Sequence, residues 1–243
     1  MKDIKILVSD YDQTFYLNDQ NIKINIDMVK QFRKAGNKFV IATGRSYMDF
    51  KEKVNLYNIN YDYAILNHGA IILDNEDKII AEYFIDEKIV NKIKKDLNSE
   101  KSIKNFCCST FESRINFNSN YNPLTKIYSK YESKEYAMCI NNKINKNYSD
   151  YVNSYYVSTN AVEVISKKIN KSKAIKLLAN SLELNPSSIY TIGDGYSDIQ
   201  MVKDYNGYAM LNSIDELKKE ATGVYESVSL LIEDILNNKI VSK

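Results

Sequence analysis

Two carboxylates, Asp10 and Asp12, stand two residues apart where an apolar run ends, and Thr14 follows two positions later. Further polar groups recur in similar settings: Thr43-Gly44-Arg45 after FVIA, Lys171 ahead of an amphipathic stretch, and Asp194 and Asp198 within GDGYSD. An isolated Asp-x-Asp after a strand is commonly a turn or a helix cap. If all these groups converge, however, their carboxylates repel one another unless a cation lies among them. A hard divalent metal resolves the conflict. Mg²⁺ suits it, because it takes oxygen ligands and is held by one or two carboxylates plus a substrate phosphate. The Thr43 hydroxyl, the N–H groups around Gly44 and the Lys171 ammonium would then bind phosphate oxygens, leaving a carboxylate to attack phosphorus. The chemistry that suits this set is phosphoryl transfer.

The elements that must position these groups read as an α/β fold. Four short apolar runs lead into polar residues, IKILVSD, KFVIATGRS, DYAILNHGA and SSIYTIGDGYSD, and NGYAML is a fifth run, ahead of Ser213. Between them, NIDMVKQFRKAG places Met28, Val29, Phe32 and Ala35 at helical spacing before Gly36, and Ser172 to Leu182 does the same with Ile175, Leu178 and Leu182. A capping box, Ser213 with Glu216, is expected to open a late helix. Apolar strands alternating with amphipathic helices indicate a Rossmann-like parallel sheet covered on both faces, whose ligands lie beyond the carboxyl ends of the strands. Residues 84–166 read differently. A helix is expected over DEKIVNKIKKDLN and strands at NFCCSTF, RINFN, EYAMCI and YYVSTNAVEVI, with an exposed loop from Asn116 to Pro123. The alternation Val162-Glu163-Val164 suits an antiparallel sheet with one wet face. The chain therefore divides into a discontinuous α/β core, 1–83 and 167–243, and an inserted α+β cap, 84–166.

Composition narrows the partners. At 243 residues and 44% hydrophobic, the chain has material for a sizeable core. A net charge of +2 favours neither nucleic acid nor an acidic membrane surface. No run approaches the roughly 20 apolar residues of a membrane span, and MKDIKILVSD meets acid too early for a signal peptide, so a cytoplasmic protein is expected. The expected assembly is a monomer or a small homo-oligomer. Cys107, Cys108 and Cys139 lack metal-ligand spacing. Of 33 basic residues only Arg33, Arg45 and Arg114 are arginine, which suggests places where lysine would not serve. Arg45 either grips substrate or pairs with an acid. Arg114 is a candidate substrate contact from a cap strand, and His68, the single histidine, is read as structural or at the substrate edge.

In order and spacing, DYDQT, TGR, a lysine before a helix and GDGYSD resemble the four motifs of the haloacid dehalogenase superfamily of phosphatases. The tail GDGYSDIQMVKDYNGYAMLNSIDELKKEA is similar to its Cof-like branch, which carries a class IIB α+β cap. The resemblance implies a phosphatase acting on a small phosphorylated metabolite, with a sugar phosphate as the favoured class. It makes Asp10 the nucleophile of an aspartyl-phosphate and Asp12 the general acid and base. Thr43 and Lys171 would hold the transferring group, with Gly44, Arg45, Ser197 and Arg114 also at the substrate. Asp10, Asp194 and the backbone carbonyl of Asp12 would ligate Mg²⁺, with Asp198 supporting that shell. Three departures stand out: Gln13 replaces the usual glycine, Ser197 replaces the usual asparagine, and the cap is short for the branch. Other outcomes compatible with the motifs are a phosphomutase and a catalytically weak phosphometabolite-binding protein. A receiver domain shares the acid pair, the threonine and the lysine but is far shorter and has no inserted cap.

Overall fold

The computed structural model describes residues 4–100, 103–117, 123–157 and 160–240. The chain opens with β1 (Ile6–Ser9), α1 (Asp19–Lys34), β2 (Lys38–Ala42), α2 (Tyr47–Tyr57) and β3 (Tyr63–Leu66), followed by a hairpin of β4 (Ile71–Asp74) and β5 (Ile79–Glu82). Then come α3 (Glu87–Asn98), β6 (Ile103–Ser109), β7 (Arg114–Asn116), β8 (Lys126–Tyr131), α4 (Lys134–Tyr148), β9 (Val152–Val157) and β10 (Ala161–Ser166). The remainder is α5 (Lys171–Ser181), β11 (Ile189–Gly193), α6 (Ile199–Asp204), β12 (Asn206–Met210), α7 (Asp215–Glu220), β13 (Gly223–Tyr225) and α8 (Val228–Leu236).

Among the described residues, the main sheet has the order β13-β12-β11-β1-β2-β3-β4-β5. It is parallel from β13 to β3, and the β4–β5 hairpin extends it antiparallel. Alternation along β1 shows why both faces are covered: Leu7 joins a cluster with Ile22, Val29 and Phe32 of α1 and Leu231 of α8, while Ile6 and Val8 pack with Ile175 and Leu178 of α5. Chain order runs outward from β1 through β2 and β3 on one side, and from β11 through β12 and β13 on the other. The crevice where the direction reverses lies at the carboxyl ends of β1 and β11.

A second, antiparallel sheet, β7-β6-β8-β10-β9, carries α3 and α4 on one face through Ile93, Leu97, Ala137, Ile140, Ile127, Val162 and Val164. Three expectations need correction here. EYAMCI is part of α4, because Ser133 caps Tyr136 N (3.2 Å) and Ala137, Ile140 and Ile144 form a buried helical stripe. The strand beside β10 is β8 instead. All six residues of β10 are buried, so the face expected to be wet at Glu163 is covered by the core; Ile165 packs into the core cluster below it. Of the loop expected at Asn116–Pro123, residues 118–122 lie outside those described. The capping box at α7 does not form either. Ser213 N donates to Met210 O (3.0 Å) in the turn after β12, and Ile214 occupies the N-cap. Among the described residues no helix is long and apolar enough to cross a membrane.

Candidate active site

Three adjacent strands, β11, β1 and β2, end in Asp194, Asp10 and Thr43. Ladder-like hydrogen bonds continue one residue past the strands, from Asp10 N to Ile192 O (3.0 Å) and from Thr43 N to Ile65 O (2.8 Å), and fix both residues at the sheet edge. Lys171, the first residue of α5, enters from beneath. Asn170 caps that helix by accepting from Lys173 N (2.8 Å), and Gly69, at φ +113°, lets the turn after β3 sit against the Asn170 backbone, where a Cβ would lie 2.6 Å away.

Lys171 is 1% exposed and donates from Nζ to Asp10 Oδ1 and to Asp198 Oδ1, each at 2.6 Å. Asp194 completes an acidic group whose carboxylate oxygens, one from each of Asp10, Asp194 and Asp198, lie within 4.8 Å of one another. Thr14 Oγ1 donates to Asp194 Oδ1 (2.8 Å), and the second oxygen of Asp198 accepts from Asp194 N (3.2 Å) and Gly195 N (3.0 Å). Both oxygens of Asp198 are thus engaged by donors. Its side chain fills the space over Gly193, where a Cβ would approach within 2.5 Å.

Burial pushes the Asp10 carboxyl well above its usual range, with Lys171 opposing and Asp198 and Asp194 adding to the rise. Asp194 is pushed up to about 6, by burial first and then by Asp198. Burial would depress the Lys171 ammonium, but Asp10 and Asp198 outweigh it and hold its pKa above the ordinary lysine value. One ammonium against three carboxylates, two of them buried and Asp194 partly so, leaves negative charge uncompensated. An all-oxygen donor set with that surplus fits a hard divalent cation.

Asp12 stands apart from this group. Arg45 forks onto it, Nε to Oδ2 (2.8 Å) and Nη2 to Oδ1 (2.6 Å), with the guanidinium 5.2 Å from the Tyr11 ring centroid. Asp12 nevertheless remains 48% exposed at its side chain. Gln13 adopts φ +61°, the conformation for which glycine is suited, and its carbonyl accepts from Asn212 Nδ2 (3.0 Å). Ser197 lies in a 3₁₀ turn, Tyr196–Asp198, at the edge of the acidic group. Arg114 is exposed on β7 and reaches across to α2, donating to Asp49 Oδ2 (2.5 Å).

The structure adds residues that sequence reading did not single out. From the cap, Lys126 of β8 donates to Glu163 Oε1 of β10 and to Gly44 O of the core, both at 2.5 Å. The other Glu163 oxygen meets His68 Nε2. Burial would raise the Glu163 carboxyl, yet Lys126 and His68 hold it down at about 2; burial keeps His68 below its usual value. Tyr155 of β9 lies beside His68, its ring tilted by 44° with centroids 5.0 Å apart. Lys126 carries no sequence signal, being one lysine among many. A charged residue amid Val162, Val164 and Ile165 is the one trace that Glu163 left.

The haloacid dehalogenase-like hydrolase profile matches residues 7–120 and 110–229. An uncharacterized protein of Mycoplasma capricolum is 33% identical over 81% of this chain and 86% of its own length. The 5-amino-6-(5-phospho-D-ribitylamino)uracil phosphatase YbjI of Escherichia coli is 21% identical, with 86% of each chain covered. A Plasmodium vivax structure described as a HAD/COF-like hydrolase superposes with a TM-score of 0.86 at 17% identity, over 97% of this chain and 96% of that one, and so shares its fold. Hydrolases of this family generally use a divalent metal, which agrees with the acidic group found here.

Proposed function

The chain belongs to the haloacid dehalogenase-like hydrolase family and is a phosphoric monoester hydrolase, and on that premise we propose that it is a Mg²⁺-dependent phosphatase of a small phosphorylated metabolite, a sugar phosphate, working through an aspartyl-phosphate on Asp10. The observation that carries this reading is the buried Lys171 ammonium shared by Asp10 and Asp198, with Asp194 alongside and the Thr43 loop on the neighbouring strand. An ammonium has three donors, and two are spent on these carboxylates, so one remains for a phosphate oxygen. Asp10, Asp194 and the carbonyl of Asp12 would hold the Mg²⁺, which when bound offsets charge on the carboxylates and the phosphate. Asp10 would attack phosphorus as the bond to the leaving oxygen breaks, and Asp12 would give that oxygen its proton. A water that passes its proton to Asp12 would then attack phosphorus, releasing inorganic phosphate and restoring Asp10. Arg45 places one donor on each Asp12 oxygen, and the remaining lone pairs of this half-exposed carboxylate are left for the leaving oxygen and the water. The sugar class draws support from the Escherichia coli relative, whose named substrate is a phosphorylated ribityl compound.

The test is turnover of p-nitrophenyl phosphate and of a panel of phosphorylated sugars, nucleotides and coenzymes. Activity should vanish in EDTA and return with Mg²⁺, while Ca²⁺, which prefers more ligands at longer distances, should inhibit. Full turnover in EDTA would remove the metal from the reading, and a preference for nucleotides or coenzymes would remove the sugar.

A further inference from the structure

Three consecutive carbonyls after β2 are each held by a donor: Thr43 O by His68 N (2.9 Å), Gly44 O by Lys126 Nζ (2.5 Å) and Arg45 O by Asn67 N (3.0 Å). In a planar trans peptide the carbonyl and the following N–H point in opposite directions. Fixing these three oxygens therefore fixes the N–H groups of Gly44, Arg45 and Ser46 on the other side. Arg45 N already donates there to Thr43 Oγ1 (3.1 Å), the hydroxyl assigned to the phosphoryl group.

Two of the three donors come from the core itself, where Asn67 and His68 adopt φ +47° and +56°. The middle one comes from the cap. Lys126 is held in place by Glu163, and Glu163 by His68, whose own backbone N–H serves Thr43, so the chain of contacts returns to the loop it started from. Burying a lysine and a glutamate costs several kcal/mol unless each is well bonded, and a contact needed only for packing would be met by apolar side chains. The absence of a side chain at Gly44 fits the same arrangement, since a Cβ there would lie 2.5 Å from the His68 ring.

We propose that Lys126, Glu163 and His68 are positioning residues that orient the phosphoryl-binding loop, so that seating the cap completes the phosphate site; this rests on the phosphatase reading above. Lys126→Met should raise the KM for every ester in the panel, and the inhibition constant of inorganic phosphate, by the same factor of about ten, the worth of one charge-assisted hydrogen bond. In the unliganded protein, amide hydrogen exchange across residues 43–46 should quicken. Because Lys126→Met strands a buried carboxylate, Lys126→Met/Glu163→Gln serves as the second variant. It should regain thermal stability yet keep the weakened phosphate inhibition and the faster exchange.

Wild-type exchange and wild-type phosphate inhibition in the folded double variant would overturn the proposal. So would a KM penalty that differs from one ester to the next, which would make Lys126 a contact to the leaving group. A wild-type protein that neither hydrolyses esters nor is inhibited by phosphate would refute the phosphatase reading, whereas the exchange of residues 43–46 would still decide whether the cap lysine sets the loop.

Discussion

Asp10 and Asp12 share one loop but not one partner. Asp10 is buried against Lys171, while Asp12 is half exposed under the fork of Arg45. A nucleophile has to sit inside the phosphate site, whereas a group that trades protons with a leaving alcohol and a water has to reach solvent. Asp10→Asn should therefore leave no detectable phosphoenzyme and cut turnover by several orders of magnitude. Asp12→Asn should lose about 10²–10⁴-fold. With an activated ester whose leaving group needs no proton, it should still form phosphoenzyme and then stall. Rapid-quench labelling separates the two, and phosphoenzyme in Asp10→Asn would show that the roles are misassigned.

At the scale of elements, α5 matters more for its first residue than for its length. Its apolar face, Ile175 and Leu178, fixes the helix to the sheet beside Ile6 and Val8, and its N-terminus delivers Lys171 under Asp10. Asn170 sets that terminus by capping Lys173 N. Asn170→Ala should cost about 1 kcal/mol in urea denaturation and lower turnover as Lys171 loses its fixed entry. Unchanged activity in a destabilised variant would mean that packing alone places the lysine. The cap shows the opposite division of labour. Its helices α3 and α4 cover one face of the sheet, and the other face, with Lys126, Glu163 and Tyr155, lies over the core.

For the molecule as a whole, the junction between cap and core ties stability to pH. Glu163, at about 2 in the fold against an ordinary 4.5, contributes stability above 4.5 that is lost as pH falls toward 2. His68, whose pKa burial lowers, adds to the loss, because the unfolded chain takes up that proton at a higher pH than the fold does. Asp10 and Asp194, both raised, act in the reverse sense in the metal-free protein, so the total curve mixes signs. Comparing wild type with Glu163→Gln cancels the groups that Glu163 does not touch and leaves it with its partners His68 and Lys126. The gap in unfolding free energy between wild type and variant should narrow as pH falls below about 4.5. A gap that does not narrow by about pH 3 would mean that Glu163 is not held as a low-pKa carboxylate.

The alternating strands and helices of the core, and the placing of Asp10, Thr43 and Asp194 at strand ends, are legible in the amino-acid sequence, because apolar periodicity and the polar residue that stops each run are local features. The sequence also held Lys171, since a helix start is written in the residues around it. Periodicity served less well in the cap, where EYAMCI reads as a strand but lies in α4 with Ala137, Ile140 and Ile144 as its buried stripe. Only the tertiary structure joined Arg45 to Asp12, and Lys126 and Glu163 to His68 and Gly44. These partners are separated by 33 residues or more, and nothing in a lone lysine or glutamate tells which distant group will share its burial. For Lys126, Glu163 and His68 the physical cause is desolvation, which exists only once the two sheets have closed on each other.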